Sequence, residues 1–519
     1  MEQTNQKMQG ELLSQGFMTD LSVEFILPDY QPEIKRLLRV RAIPLPVDQY
    51  LGGSAAELSG AVEFQALYAA EDGSIWCVTK REDYRLSCPF EADGNFDLSD
   101  GLVCDVKTDV EGVSGRVLAP RKLTARCRVR NQVRMYADRV TTEDAPDDVE
   151  RLSGMMPTSR VRIGRSAPFT LTDEISLDPN EAPLRVISAS GEVFPAEAQA
   201  GSDVVACRGE ILVSLLCVPE QPVPSPEGAE DCLPAAAIPM ELRRKIPFAV
   251  EIPMDGVTVN CSANAWGSCS EIAVTVEENR ILCDVTAVVC ARAVCREEIP
   301  FTRDAYSTTA LTEPVYNALP TMQNLVCKCG NCSLSATKEL DEVGLRPGAR
   351  VIDATGEVTT QPPELARGNY ILPGNLRFRV LAQQPDGEYT TAEFDLPFRY
   401  ESTADGETIP TGSDSVVTPV SIKATIDGNR LQAVAELAVA LSLSATEPMQ
   451  ALVSLRVGNP VPAPAANLII CYPAPDDTLW SVAARYHTPV SSLTAKNELP
   501  AAPAADSPDS LKGIRYLVV

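Results

Sequence analysis

GAVEFQALY, residues 60–68, opens on glycine and then sets apolar side chains at alternate positions. The same design returns as GEILVSLLC at 209–217 and GNLRFRVLA at 374–382. Matching offsets carry Val62, Phe64 and Leu67, then Ile211, Val213 and Leu216, then Leu376, Phe378 and Leu381. A period of two is the pattern of a strand with one buried face. Downstream of each stretch lies a Pro-Phe pair, at Pro89-Phe90, Pro247-Phe248 and Pro397-Phe398. From each proline it is 34 positions to a second apolar run, opening at Leu123, Ile281 and Leu431 behind a basic residue, Lys122, Arg280 and Arg430. Upstream, RVISASGEV from Arg185 echoes RVIDATGEV from Arg350, and the first copy has RVRAIPLPV from Arg39. A spacing held three times indicates an internal repeat of β-rich modules, each of ordinary domain size.

The bulk composition agrees. A chain of 519 residues with 45% apolar content supports several cores, and 41 prolines with 5% aromatics suit short strands and turns better than long helices. The net charge of −26 repels phosphate backbones and argues against nucleic acid as a partner. The opening MEQTNQKMQGELLSQGFMTDLS has no basic region followed by an apolar run, and no apolar stretch is long enough to span a membrane. The expectation is a cytoplasmic protein without a signal peptide. In that compartment the sixteen cysteines read as small buried hydrophobes. The one tight group, Cys327, Cys329 and Cys332 in VCKCGNC, has thiolate spacing for a metal but no fourth ligand nearby, so no metal and no cofactor are expected.

The boundaries read as modules over 1–145, 165–305 and 335–455, a Pro-rich linker over 456–467 and a terminal domain over 468–519. TTEDAPDDVERLSGMMPTS reads as the linker between the first two modules, and PEQPVPSPEGAEDCLPAAA as a surface loop of the second. In the first module EIKRLLRV, after Pro32, reads as a short turn of helix. The terminal domain reads strand, helix, helix, strand. LIICYP is an apolar run, Asp477 and Thr478 cap a helix with Leu479, Val482, Ala483 and Tyr486 on its apolar face, and Asn497 closes a second helix before the final YLVV. The fold class is therefore mainly β, with three tandem β-rich domains followed by a small α+β domain.

Two resemblances attach to these motifs. ILPDY-x-PEIKRLLR from Ile26, followed by a strand, a Pro-Phe and a basic-Leu strand, resembles the SPOCS domain of bacterial sporulation proteins, most strongly over residues 21–140. SLDPNEAPLRV and EVGLRPGARV replace the motif in the second and third copies. DTLWSVAARY-x-TPVSSLTAKNELP with a terminal G-x-R-Y-L-V resembles a LysM module. Two departures border its groove: Asp476 stands where glycine is usual, and AAPAADSPDS is inserted before the last strand.

SPOCS modules joined to one LysM module imply a non-enzymatic structural adaptor in spore coat assembly. The LysM module would dock on a coat morphogenetic ATPase (SpoIVA-like), at the forespore surface in the mother cell. The alternative is binding of peptidoglycan through its N-acetylglucosamine chains, and a cell-wall hydrolase is the third reading. In either binding role the resemblance gives Asp477, Thr478, Leu479, Trp480 and Asn497 as the groove. Within it Trp480 is the aromatic anchor, or else packs on the second helix as core. No phosphate-binding glycine loop is present, the single histidine, His487, has no triad setting, and Asp476-Asp477 reads as a solvated pair.

Overall fold

A computed structural model of the chain describes residues 5–92, 96–98, 101–142, 149–177, 184–219, 238–277, 280–404, 406–462, 468–499, 505–507 and 509–519. The alternating stretches form strands, and all ladders are antiparallel. In each module the glycine-led strand is the middle of a three-stranded meander. Ala55–Ala70 lies between Ile34–Pro44 and Ile75–Pro89, Val204–Pro219 between Leu184–Ala200 and Met240–Pro253, and Asn369–Gln383 between Arg350–Thr360 and Tyr389–Thr403. A second sheet centres on the basic-apolar run. Lys122–Thr142 pairs with Asn5–Ile26 and Val103–Ala119, Arg280–Ser307 with Ser262–Glu277, Val149–Arg165 and Phe169–Ser176, and Arg430–Pro460 with Ala310–Glu339 and Val416–Asp427. The two sheets of a module pack face to face, as in the first, where Val62 and Phe64 meet Val23, Phe25 and Leu123.

The leading glycines have a packing role. Across the ladder Gly60 faces Tyr84, Gly209 faces Phe248 and Gly374 faces Phe398. A Cβ would lie 2.5 Å from the ring of Tyr84 at position 60 and 2.3 Å from that of Phe398 at position 374, so the aromatic lies flat over bare backbone. This corrects the repeat alignment in the first copy. Its counterpart of Phe248 and Phe398 is Tyr84, whereas Pro89 ends its strand opposite Ala55, six residues out of register with the other two prolines.

The modules close into a ring with approximate threefold order. Leu67, Leu216 and Leu381, each seven residues after its glycine, share one buried cluster with Ile352 and the half-buried Leu38 and Ile187. Beside it Arg39 of the first module binds Asp353 of the third at 2.5 Å, Arg41 approaches Glu192 of the second at 3.5 Å, and Arg243 of the second donates to the Ala354 carbonyl at 3.3 Å. On the other sheet a link joins each pair of modules. Arg292 of the second module binds Asp105 of the first, Arg134 of the first binds Asp414 of the third at 2.9 Å, and Asn264 of the second donates to Leu441 O of the third at 2.9 Å. Arg134, Arg292 and Ser442 occupy the same place in the repeat, eleven residues past Leu123, Ile281 and Leu431. The place recurs without its chemistry: Arg134 and Arg292 reach other modules, whereas Ser442 N donates to the Ser415 hydroxyl of its own module at 3.2 Å.

Several expectations change. EIKRLLRV is not helical: Ile34–Pro44 is a strand with register shifts at Ile34/Arg36 and Leu37/Arg39, because its pairing with Ala55–Ala70 supplies hydrogen bonds that one helical turn cannot. The stretch read as the first linker becomes the strand Val149–Arg165, and the strand Arg430–Pro460 runs into the Pro-rich linker. The loop read over 219–237 lies outside the described residues from 220 onward, as do 143–148 and 463–467. Cys261 and Cys295 form a disulfide instead of two buried thiols; Ser262 pairs with Val294, so the hairpin register brings the two Cα atoms within 4.3 Å. Cys327 and Cys332 pack in different clusters, Cys327 with Tyr136 and Val294 and Cys332 within the third module's core. Burial pushes the Cys327 thiol up to about 12, which opposes a thiolate ligand. Among the described residues, no three His, Cys, Asp or Glu gather as a metal site, and no helix is long and apolar enough to cross a membrane.

Candidate functional site: the C-terminal domain and its seat

Ile470–Cys471 pairs with Leu517–Val518, and between them run α1, Leu479–Arg485, and α2, Val490–Lys496. Both helices are too short to hold alone and depend on capping and packing. Thr478 is the N-cap of α1: its hydroxyl accepts from Ser481 N at 3.1 Å, while Thr478 N donates to the Ser481 hydroxyl at 2.9 Å. Asp477 closes the turn before it by accepting from Ala474 N at 2.9 Å, and it holds Arg485 at the far end of α1 with both carboxylate oxygens. It is therefore a buried, paired carboxylate and not a solvated one. Arg485 holds its carboxyl below the ordinary range, with the Ala474 N–H contributing.

Asn497 follows α2 and is wholly engaged. Its Nδ2 donates to Leu493 O and Val518 O, both at 2.8 Å, and its Oδ1 accepts from Val518 N at 2.6 Å. It pins the second helix to the last strand. Leu479 is core, packed with Val482, Ala483, Leu493 and Leu517. Of the five residues read as groove, Asp477, Thr478, Leu479 and Asn497 hold the domain together.

Trp480 is 6% exposed, and neither α2 nor solvent takes its ring. It meets Tyr306 of the second module edge-on, with centroids 5.0 Å apart, and its Nε1 donates to Asp304 Oδ2 at 2.9 Å. Tyr306 in turn donates to the Thr488 carbonyl at 2.8 Å, and Tyr316 donates to Asp304 Oδ1 at 2.9 Å. His487, at φ +50° just past α1, lies 2.9 Å through Nδ1 from the Ser307 carbonyl, so Nδ1 carries the proton and donates. The histidine thus fastens the terminal domain to the second module.

The inserted segment closes over the front of α1. Trp480 N donates to Ala505 O at 2.9 Å, Leu479 N donates to the Ser510 hydroxyl at 2.9 Å, and Leu511 is buried in the domain core. Free N–H groups at a helix start ordinarily await a ligand or water; here the chain's own loop takes two of them. Asp506 of the same loop binds Arg303 of the second module. Arg303, Asp304, Tyr306 and Ser307 carry no motif, and only their place at the end of a long strand brings them to the terminal domain.

Residues 474–502 match the LysM domain family. No curated protein and no solved structure matches the chain.

Proposed function

We propose that this protein is a non-enzymatic binding protein whose ring of three β modules carries one LysM domain, and that this domain takes glycan chains of the N-acetylglucosamine type, as in peptidoglycan. The match over 474–502 carries the reading, because a LysM domain suggests carbohydrate binding and the βααβ fold sets the α1 turn against the segment after α2. The test is sedimentation of the full chain with purified peptidoglycan. It should pellet with the glycan and be released by soluble N-acetylglucosamine oligomers; a chain that stays in the supernatant with its fold intact removes the reading.

A second reading is the adaptor, in which SPOCS-like modules and the LysM domain form a SipL-like scaffold that docks on a SpoIVA-like coat protein within the mother cell. What favours it is the front of α1, already bonded to Ala505 and Ser510, while Leu468, Tyr472 and Tyr516 of the same domain stand exposed. Exposed aromatics of this kind serve protein contacts. Affinity purification from sporulating cells, with Tyr472→Ala/Tyr516→Ala against the unaltered chain, should lose one coat protein. An unchanged set of recovered proteins excludes this docking face.

A further inference from the structure

The first strand of each meander carries a bulge at the same place. Register shifts fall at Leu37/Arg39, Val186/Ser188 and Val351/Asp353, so Leu38, Ile187 and Ile352 are the extra residues. These three turn into the apolar cluster that the modules share. The residues that follow, Arg39, Ser188 and Asp353, stand opposite Leu67, Leu216 and Leu381 of the middle strands. Side chains alternate along a strand, so Arg41, Ser190 and Thr355, two positions on, share their face. All six line one cavity of about 50 Å³ at the junction of the three modules. One water needs roughly 10–15 Å³, so the cavity has room for an occupant of a few heavy atoms.

The charges around this cavity are unevenly satisfied. Arg39 and Asp353, both buried, bind each other at 2.5 Å. Arg243 gives Nε and Nη2 to Glu241, at 2.6 and 2.8 Å, and Nη2 also reaches Ala354 O at 3.3 Å. Its Nη1 is buried and has no partner among the described residues. A charged donor left unpaired is costly, and an anionic oxygen is the acceptor that best offsets the cost. Arg41 is poorly matched too, 3.5 Å from Glu192. Burial, with Arg39 beside it, draws the Arg41 guanidinium below its usual value. Burial also raises the carboxyls of Glu192 and Glu241, the latter to about 7. The cations are therefore less well compensated than the number of carboxylates suggests. We propose that the cavity binds one small oxyanion, a carboxylate or a phosphate, through Arg243 Nη1 and Arg41, with the hydroxyls of Ser188 and Ser190 beside it. The site is independent of the glycan reading and of the terminal domain. Because its walls come from all three modules, its occupant lies where they join.

The experiment uses the full chain, freed of phosphate, in equilibrium dialysis at fixed ionic strength with inorganic phosphate and acetate as separate probes. The net charge of −26 repels anions in general, so saturable uptake of one anion per chain reports a local site. Saturation by phosphate alone names a phosphate ligand, saturation by acetate alone names a carboxylate, and mutual competition shows one site for both. Arg243→Gln should weaken binding by about tenfold or more, the loss of one charge-assisted hydrogen bond. Arg41→Gln should weaken it as well. No saturable uptake of either probe overturns the proposal, and so does uptake that Arg243→Gln leaves unchanged. Should Arg243→Gln fail to fold, Arg41→Gln, at a partly exposed position, carries the decision, and unchanged affinity there overturns the site.

Discussion

Arg292 and Arg303 lie on one strand, Arg280–Ser307, and each joins the second module to another part of the chain. Arg292 is 2% exposed; it binds Asp105, donates to the Asp414 carbonyl at 3.1 Å and lies 5.5 Å from the centroid of the Trp266 ring. Arg303 is half in solvent and binds one carboxylate. Taking a guanidinium and a carboxylate out of water is costly, so a buried pair depends on the bonds that replace water; Arg292 makes them through Nη1 and Nη2 while its buried Nε is left without one, and removing one partner strands the other. An exposed pair forms and breaks at little cost. The same residue type on the same strand therefore makes a buried joint at one position and a solvent-screened contact eleven residues later.

The largest expected effect comes from Arg292→Met, which leaves Asp105 buried without its ion. Denaturant unfolding should show a loss of about 3–5 kcal/mol, and adding Asp105→Asn should restore much of it. A loss below 1 kcal/mol, on the order of a surface pair, would erase the distinction drawn between the two arginines.

An intermediate effect belongs to the other junction, beside Arg39 and Asp353. There burial pushes Glu241 up to about 7, against the pull of Arg243, which it binds at 2.6 and 2.8 Å. An acid with a raised folded pKa keeps its proton longer in the folded state, so its contribution to stability falls as pH climbs from the ordinary carboxylate range toward 7. The melting temperature followed between pH 5 and 7.5 should decline less in Glu241→Gln than in the parent. Equal slopes would mean that this junction is as settled electrically as the one at Arg292. The smallest effect is Arg303→Ala, under about 1 kcal/mol by the same unfolding assay.

Much of the fold could be read from residues close together in sequence. Alternation gave the strands, the three glycine-led stretches marked the middle strand of each meander, and DTLW with its following alanines gave the terminal helices. Errors arose where tertiary pairing decides. Ile34–Pro44 has helical-looking composition but takes its conformation from a neighbouring strand, and Pro89-Phe90 imitates a register that Tyr84 actually occupies. At the candidate site, capping by Thr478 was legible because a cap is local. The destination of Trp480 was not, because Asp304 lies 176 residues away and nothing in RDAYS marks it as a partner. The ring was invisible for the same reason. Arg292 and Asp105 are 187 residues apart, and equivalent places in the three copies carry Arg134, Arg292 and Ser442, which share no chemistry.

The closed set of junctions has a consequence for how such a chain is able to evolve. Open arrays of repeats gain and lose units freely, since an end can always accept another neighbour. Here the second module donates to the first and to the third, and the first donates to the third, so every module touches both others and the set closes on itself. A fourth copy would find no free end, and a lost copy would leave buried charges facing water. The number three is therefore fixed by geometry, and variation is left to the loops and to the domain seated on the rim.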